Sequence, residues 1–221
     1  MTAVRGCVYS GAIMNTEPLA FLKNEIPAHF AKGVADLRAA TGPGAQEGLD
    51  DVLNARAAIR MIVEGSGEAW IGVEKGTLGV TDTQPDGLPV RAVISFAETA
   101  AKEALALLAE SGRLDDPKAP KRFARAFSAR AEKILEGQKL DFHVILKDVP
   151  DHDEDVVIKV AIGAAEVPAK PQFTAAISYD DIEDMRGGDI TPNQVIGRLR
   201  LTGDASRAMA LGMMLMQPPK K

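Results

Sequence analysis

Residues able to do chemistry are sparse and scattered in this chain. Its three histidines, His29, His143 and His152, fall in a helical run, a strand-like run and an acidic loop. No His-x-x-x-His spacing or glutamate partner sets two of them on one helical face, as a zinc site requires. His152 lies among Asp148, Asp151, Asp153, Glu154 and Asp155, oxygens suited to a hard cation such as calcium. That run lacks the central glycine and terminal glutamate of an EF-hand loop and reads as a solvated turn. Ser10, Ser66, Ser95 and Ser178 stand outside any Gly-x-Ser-x-Gly elbow. Gly42–Gly44 and Gly65–Gly67 lack the Lys-Ser/Thr that completes a phosphate loop. The expectation is a protein without catalytic residues, metal or cofactor, and not an enzyme.

Composition sets the frame for what else it does. The chain has 221 residues, 46% of them hydrophobic and 26% charged, with net charge −5. That is enough for a core in one large domain or two small ones. Net acidity argues against nucleic acid, which demands a basic face for counterion release. The local cluster Lys118, Lys121, Arg122, Arg125 and Arg130 reads as the solvated face of a helix. A single cysteine, Cys7, excludes a disulfide within the chain and fits a cytoplasmic location. No run reaches the roughly 18–20 uncharged apolar residues of a membrane span.

The elements follow from periodicity and breakers. Residues 1–14 read as a flexible extension. Asn15 or Thr16 is placed to cap a helix over Leu19–Leu37, whose apolar face is Leu22, Ile26, Phe30, Val34 and Leu37; Pro27 predicts a break in it. Asp51–Arg60 suggests a short helical turn. Strands are expected over Ile59–Glu64, Glu68–Val73, Thr77–Thr81 and Pro89–Phe96, followed by a helix over Glu98–Ser111 that ends at Gly112. A second series comprises a helix over Pro120–Leu135, strands Leu140–Lys147, Asp155–Ala161, Ala164–Val167 and Phe173–Tyr179, and a short helix near Asp180–Arg186. A last strand over Arg198–Thr202 and a last helix over Ala205–Met216 close it. The fold class is α+β, a mainly antiparallel sheet covered by helices.

The two series resemble each other. Trp70–Val80 aligns without a gap on Val157–Val167, sharing an isoleucine, two valines and a turn glycine. Ile94-Ser95-Phe96 matches Ile177-Ser178-Tyr179, and His29-Phe30-Ala31-Lys32 matches Arg122-Phe123-Ala124-Arg125, all in one order. This divides the chain into residues 15–116, a first and truncated copy, and 117–221, a more complete second copy.

Gly197-Arg198-Leu199-Arg200-Leu201-Thr202-Gly203-Asp204 precedes a helix that carries no charge after Arg207. With the amphipathic opening Phe21–Phe30, this pattern resembles the sterol carrier protein 2 family. In that reading Gly197 and Gly203 bracket a strand and Asp204 caps the final helix. The resemblance implies that the Met-rich helix closes a hydrophobic tunnel. Its ligand would be a fatty acid, acyl-CoA or sterol-like lipid touching Phe173, Ile177, Met209, Leu211, Met213, Met214 and Leu215. Two occupants of this surface remain open. One is an apolar small molecule or lipid, bound or carried without a covalent step. The other is protein, the helix serving as a subunit contact in a homodimer or interaction module with a filled core. Large side chains packed beneath Leu211 and Met214 favour the second, and a continuous apolar void favours the first.

Overall fold

The computed structural model describes residues 17–110, 117–150, 152–187 and 189–216. Eight strands form one sheet in the order β3-β2-β1-β4-β6-β5-β7-β8. They are β1 Arg56–Glu64, β2 Gly67–Glu74, β3 Thr77–Thr81, β4 Val90–Ala97, β5 Leu140–Lys147, β6 Val156–Ile162, β7 Phe173–Ser178 and β8 Arg200–Gly203. The helices are α1 Pro18–Ala39, α2 Ala45–Leu53, α3 Glu98–Glu110, α4 Ala119–Ala126, α5 Ala129–Leu135, α6 Tyr179–Gly187, α7 Pro192–Arg198 and α8 Ser206–Met216. The class is α+β, but the sheet is mixed: β1–β4 and β5–β7 run parallel, the remaining pairs antiparallel.

Alternation along the strands gives the sheet two unlike faces. Ile59, Met61, Ile71, Val73, Leu78 and Val80 pack beneath Phe30, Val34 and Leu37 of α1 and Val52 of α2. On the same face further across, Leu140, Phe142, Phe173 and Ala175 meet α5 and α8, and Leu146, Val156 and Ile177 meet α3, α6 and α7. Each described helix contributes to these clusters, so all of them cover one side. The opposite side carries Arg60, Glu68, Ser95, Lys159, His143, Thr174 and Thr202, and part of it is closed by Pro85 and Leu88 over Gly72.

Pairing in the first half recurs in the second. β1 pairs antiparallel with β2 and parallel with β4; β5 pairs antiparallel with β6 and parallel with β7. Two helices precede each of β1 and β5, and a helix follows directly on each of β4 and β7, with α7 as an addition in the second half. The strand expected over Ala164–Val167 does not form. The matching edge of β6 is occupied by β4, whereas the matching edge of β2 is free to take β3.

Other boundaries also differ from expectation. The helical turn expected over Asp51–Arg60 is instead the end of α2, which stops at Leu53, and the start of β1 at Arg56. Pro27 lies inside an unbroken α1. Leu22 and Ile26 before it and Phe30, Val34 and Leu37 after it pack on one cluster, which outweighs the missing hydrogen bond. The single helix expected over 120–135 is two, because Ser128 turns extended and its hydroxyl accepts the Ala131 N–H. Gly197 lies within α7, a helix not expected, so it does not bracket the last strand. The proposed caps Asn15 and Thr16, the helix stop Gly112 and the extension 1–14 lie outside the described residues.

Candidate functional site

The last strand and last helix form the most distinctive surface. Leu199 ends α7 and the chain enters β8, which pairs with β7 through Ala176–Arg200, Ala175–Leu201, Thr174–Thr202 and Phe173–Gly203. Gly203 holds φ +94°, and a Cβ there would lie 2.4 Å from the Gln172 carbonyl oxygen and 2.9 Å from the Phe173 Cα. Both the left-handed backbone and the close strand crossing therefore demand glycine. Gly203→Val should lower folding stability by about 3 kcal/mol or more. Urea unfolding monitored by circular dichroism checks this, and a loss below about 1 kcal/mol would contradict it.

Asp204 follows immediately. One of its carboxylate oxygens accepts both the hydroxyl and, at 3.0 Å, the backbone N–H of Ser206, starting α8 as expected. Arg207 Nη2 donates to Gln138 Oε1 at 3.2 Å, and Arg130 Nη2 donates to the Met214 carbonyl at 2.9 Å. A cation at the carbonyl end of a helix also complements its dipole. These contacts fix the rotation of α8, and with it which side chains turn inward.

The residues expected to line one tunnel fall into three environments. Phe173 and Leu211 are core: Leu211 is 4% exposed, and the Phe173 ring stacks on Phe142 with centroids 5.0 Å apart. Leu140, Ala175, Ala205, Ile134, Leu135, Ile162 and Ala208 complete that packing. Ile177 belongs to a separate cluster with Leu146, Val149, Val156, Ile190 and Val195. Met209, Met213, Met214 and Leu215 face outward, Met209 and Met213 being 55% and 60% exposed. With Ile196 of α7 and Leu201 of β8, they make up all the large hydrophobic side chains exposed among the described residues. Exposed apolar residues confined to one region mark an interaction surface more strongly than the same number scattered.

Two clefts stand out. One of about 330 Å³ lies where β7 meets α7 and β8, and is lined by Lys147, Asp148, Ala176, Ile177, Ser178, Asp181, Arg198 and Arg200. Arg198 bonds Asp181 there and holds its carboxyl below the usual carboxylate range, aided by the Ser178 hydroxyl. The other, about 670 Å³, includes Glu64, His143, Lys159 and the acidic loop. Glu64 accepts from Lys159 Nζ at 2.7 Å and Ser95 Oγ at 2.9 Å; those bonds depress its pKa. His143 Nε2 is buried without a hydrogen-bond partner among the described residues. Periodicity places His143 in a strand but does not show that Lys159 and Thr174 flank it across the sheet, with Ser95 beyond Lys159, since that needs the register.

Asp204 is likewise held low, by the Ser206 hydroxyl first and its N–H second. A carboxyl depressed on folding stabilises the native state above its unfolded pKa, near about 4, and that gain is lost as pH falls through the lower folded value. Thermal melting from about pH 6 to about pH 2 should be flat at first, then fall below about pH 4. Asp204→Asn keeps the cap and removes this titration, so its melting temperature should fall less over the acid range. An identical acid profile would contradict the assignment.

Comparison of the chain with protein-family models, with curated proteins and with solved structures gives no match.

Proposed function

We propose that this is a non-catalytic binding module whose contact surface is the outer face of α7, β8 and α8, and that its occupant is a protein surface. One observation carries the reading: every large exposed hydrophobic side chain among the described residues lies there. The stacked Phe142 and Phe173 rings fill the space beneath Leu211, which supports the interaction reading over a lipid tunnel. Methionine is flexible and polarizable, suited to contacts that must adapt in shape. The order strand, Gly203, Asp204, apolar helix and the recurring strand pairing also support kinship with sterol carrier protein 2-like folds and descent of both halves from one unit.

A lipid carrier is the second reading, favoured by the three methionines among the four large exposed apolar side chains of α8. An acyl chain laid along them would gain about 0.8 kcal/mol per buried methylene. Native mass spectrometry of the full chain, with organic extraction of the same sample, separates the two. The interaction reading expects no co-purified lipid and no thermal shift with a long-chain fatty acid. A stoichiometric extracted lipid, lost in Met213→Asp, would overturn it.

A further inference from the structure

We propose that the smaller cleft binds a zwitterionic amino acid, its carboxylate on Arg200 and its ammonium on Asp148. This site goes beyond the apolar contact surface and does not depend on it. Leu201 of that surface is in register with Ala175 on the helix-covered side of β8, whereas Arg200 is in register with Ala176 on the other.

Topology explains where the cleft lies. β5 and β7 are the parallel pair of the second half, and both end there, β5 in Lys147 and β7 in Ser178, which are register partners. Open sheets with parallel strands recurrently take ligands in the crevice outside the carboxyl ends of those strands. The larger cleft occupies the equivalent place in the first half, at Glu64 and Ala97, the ends of β1 and β4. The floor of the smaller one is low. Lys147 and Arg200 flank a strand that carries only the Ala176 methyl and the Ser178 hydroxyl between them. Two strand spacings separate β5 from β8, about 10 Å. At about 330 Å³ the cleft is at the lower end of small-molecule sites, about 300–1,000 Å³. Its described lining includes no aromatic ring, which suits a small polar ligand.

Charge sets the class of that ligand. Five charged side chains line the cleft: Lys147, Asp148, Asp181, Arg198 and Arg200. Three are satisfied within the chain. Arg198 bonds Asp181 at 2.5 Å and reaches Asp184 at 3.4 Å, and Lys147 pairs with Asp155 at 3.3 Å. The start of α6 is taken as well, because Ser178 Oγ accepts the Asp181 N–H at 3.1 Å. The two charges left over have opposite signs. Neither the Arg200 guanidinium nor the Asp148 carboxylate makes a hydrogen bond or ion pair among the described residues. Asp148 holds φ +58°. That left-handed backbone interrupts the alternation of β5, which would send the side chain after Lys147 to the helix-covered side. A simple anion would face Asp148 and Asp181 as well as Arg200, and a simple cation would face Lys147 and both arginines. A molecule carrying both charges satisfies the two unpaired groups together, and the planar fork of arginine matches a carboxylate.

The test is titration of the full chain followed by amide NMR, with L-alanine and 4-aminobutyrate as probes. They carry the same two charges at different separations, whereas propionate and ethylamine carry one charge each. At least one amino acid should bind with Kd about 1 mM and shift the amides of Ala176, Ser178 and Arg200. It should bind at least tenfold more tightly than either single-charge probe. Arg200→Gln and Asp148→Asn should each weaken that binding at least tenfold. Asparagine tolerates the left-handed backbone as aspartate does, and unchanged spectra away from the cleft show that each variant folds. No shift with either amino acid at about 50 mM would overturn the proposal. So would variants that bind like wild type. Propionate binding as tightly as the amino acids would also overturn it, leaving an anion subsite without the Asp148 contact.

Discussion

Phe30→Ala is expected to lower folding stability by about 3–5 kcal/mol, a large part of the roughly 5–15 kcal/mol that holds a typical domain together. Phe30 is fully buried in α1, and its ring meets Phe123 and Phe127 edge-on with centroids 6.4 and 6.0 Å apart. Removing it opens a cavity between α1, α4 and the β1–β3 sheet. Collapse into that cavity is resisted at Gly33, one turn on. There α1 approaches α4 so closely that a Cβ would lie 2.0 Å from the Pro120 carbonyl oxygen. The backbones already touch, so they cannot close further. Denaturant unfolding gives the number, and a loss under about 1.5 kcal/mol would mean that the aromatic cluster is not central to the core.

Two residues of α8, one helical half-turn apart, should behave in opposite ways. Leu211→Asp puts a carboxylate among the apolar side chains of Phe173, Leu140 and Ala175. An unpaired buried charge of this kind should cost more than about 4 kcal/mol and leave much of the population unfolded at 25 °C. Met213→Asp changes a side chain that is 60% exposed and should stay within about 0.5 kcal/mol of wild type. Near-ultraviolet circular dichroism and thermal melting distinguish the two at once. If Leu211→Asp folds normally, α8 does not pack on the sheet as described. If Met213→Asp unfolds, the outer face is core after all.

Local signals in the sequence were strong where local physics decides. The strands Thr77–Thr81 and Leu140–Lys147 match residue for residue, because alternation and flanking turns settle them. Asp204 as a cap was legible from its place between a glycine and an apolar run. The helix Pro192–Arg198 carries a local signature outside the apolar periodicity: Thr191 and Gln194 form a reciprocal capping box around Pro192. Nothing local reveals that Pro27 is carried inside a helix, since the core contacts holding α1 come from β2, β3 and α4. Nor does a Met/Leu run say which of its faces turns inward. That rotation depends on Arg130, 84 residues before Met214, and on Gln138, 69 residues before Arg207. Ile177 and Phe173 lie on one strand and one face, yet different helices separate them into different clusters. Sequence spacing therefore grouped residues that the tertiary packing divides.

Met209 and Met213 are exposed in the single chain, and a partner is proposed to cover them. Oxidation of methionine by dilute peroxide, read by peptide mass spectrometry, tests that exposure directly. In dilute solution Met209 and Met213 should oxidise about fivefold or more faster than Met61, which packs against the α1 cluster. Rates at Met209 and Met213 that are no faster than at Met61 would contradict the account.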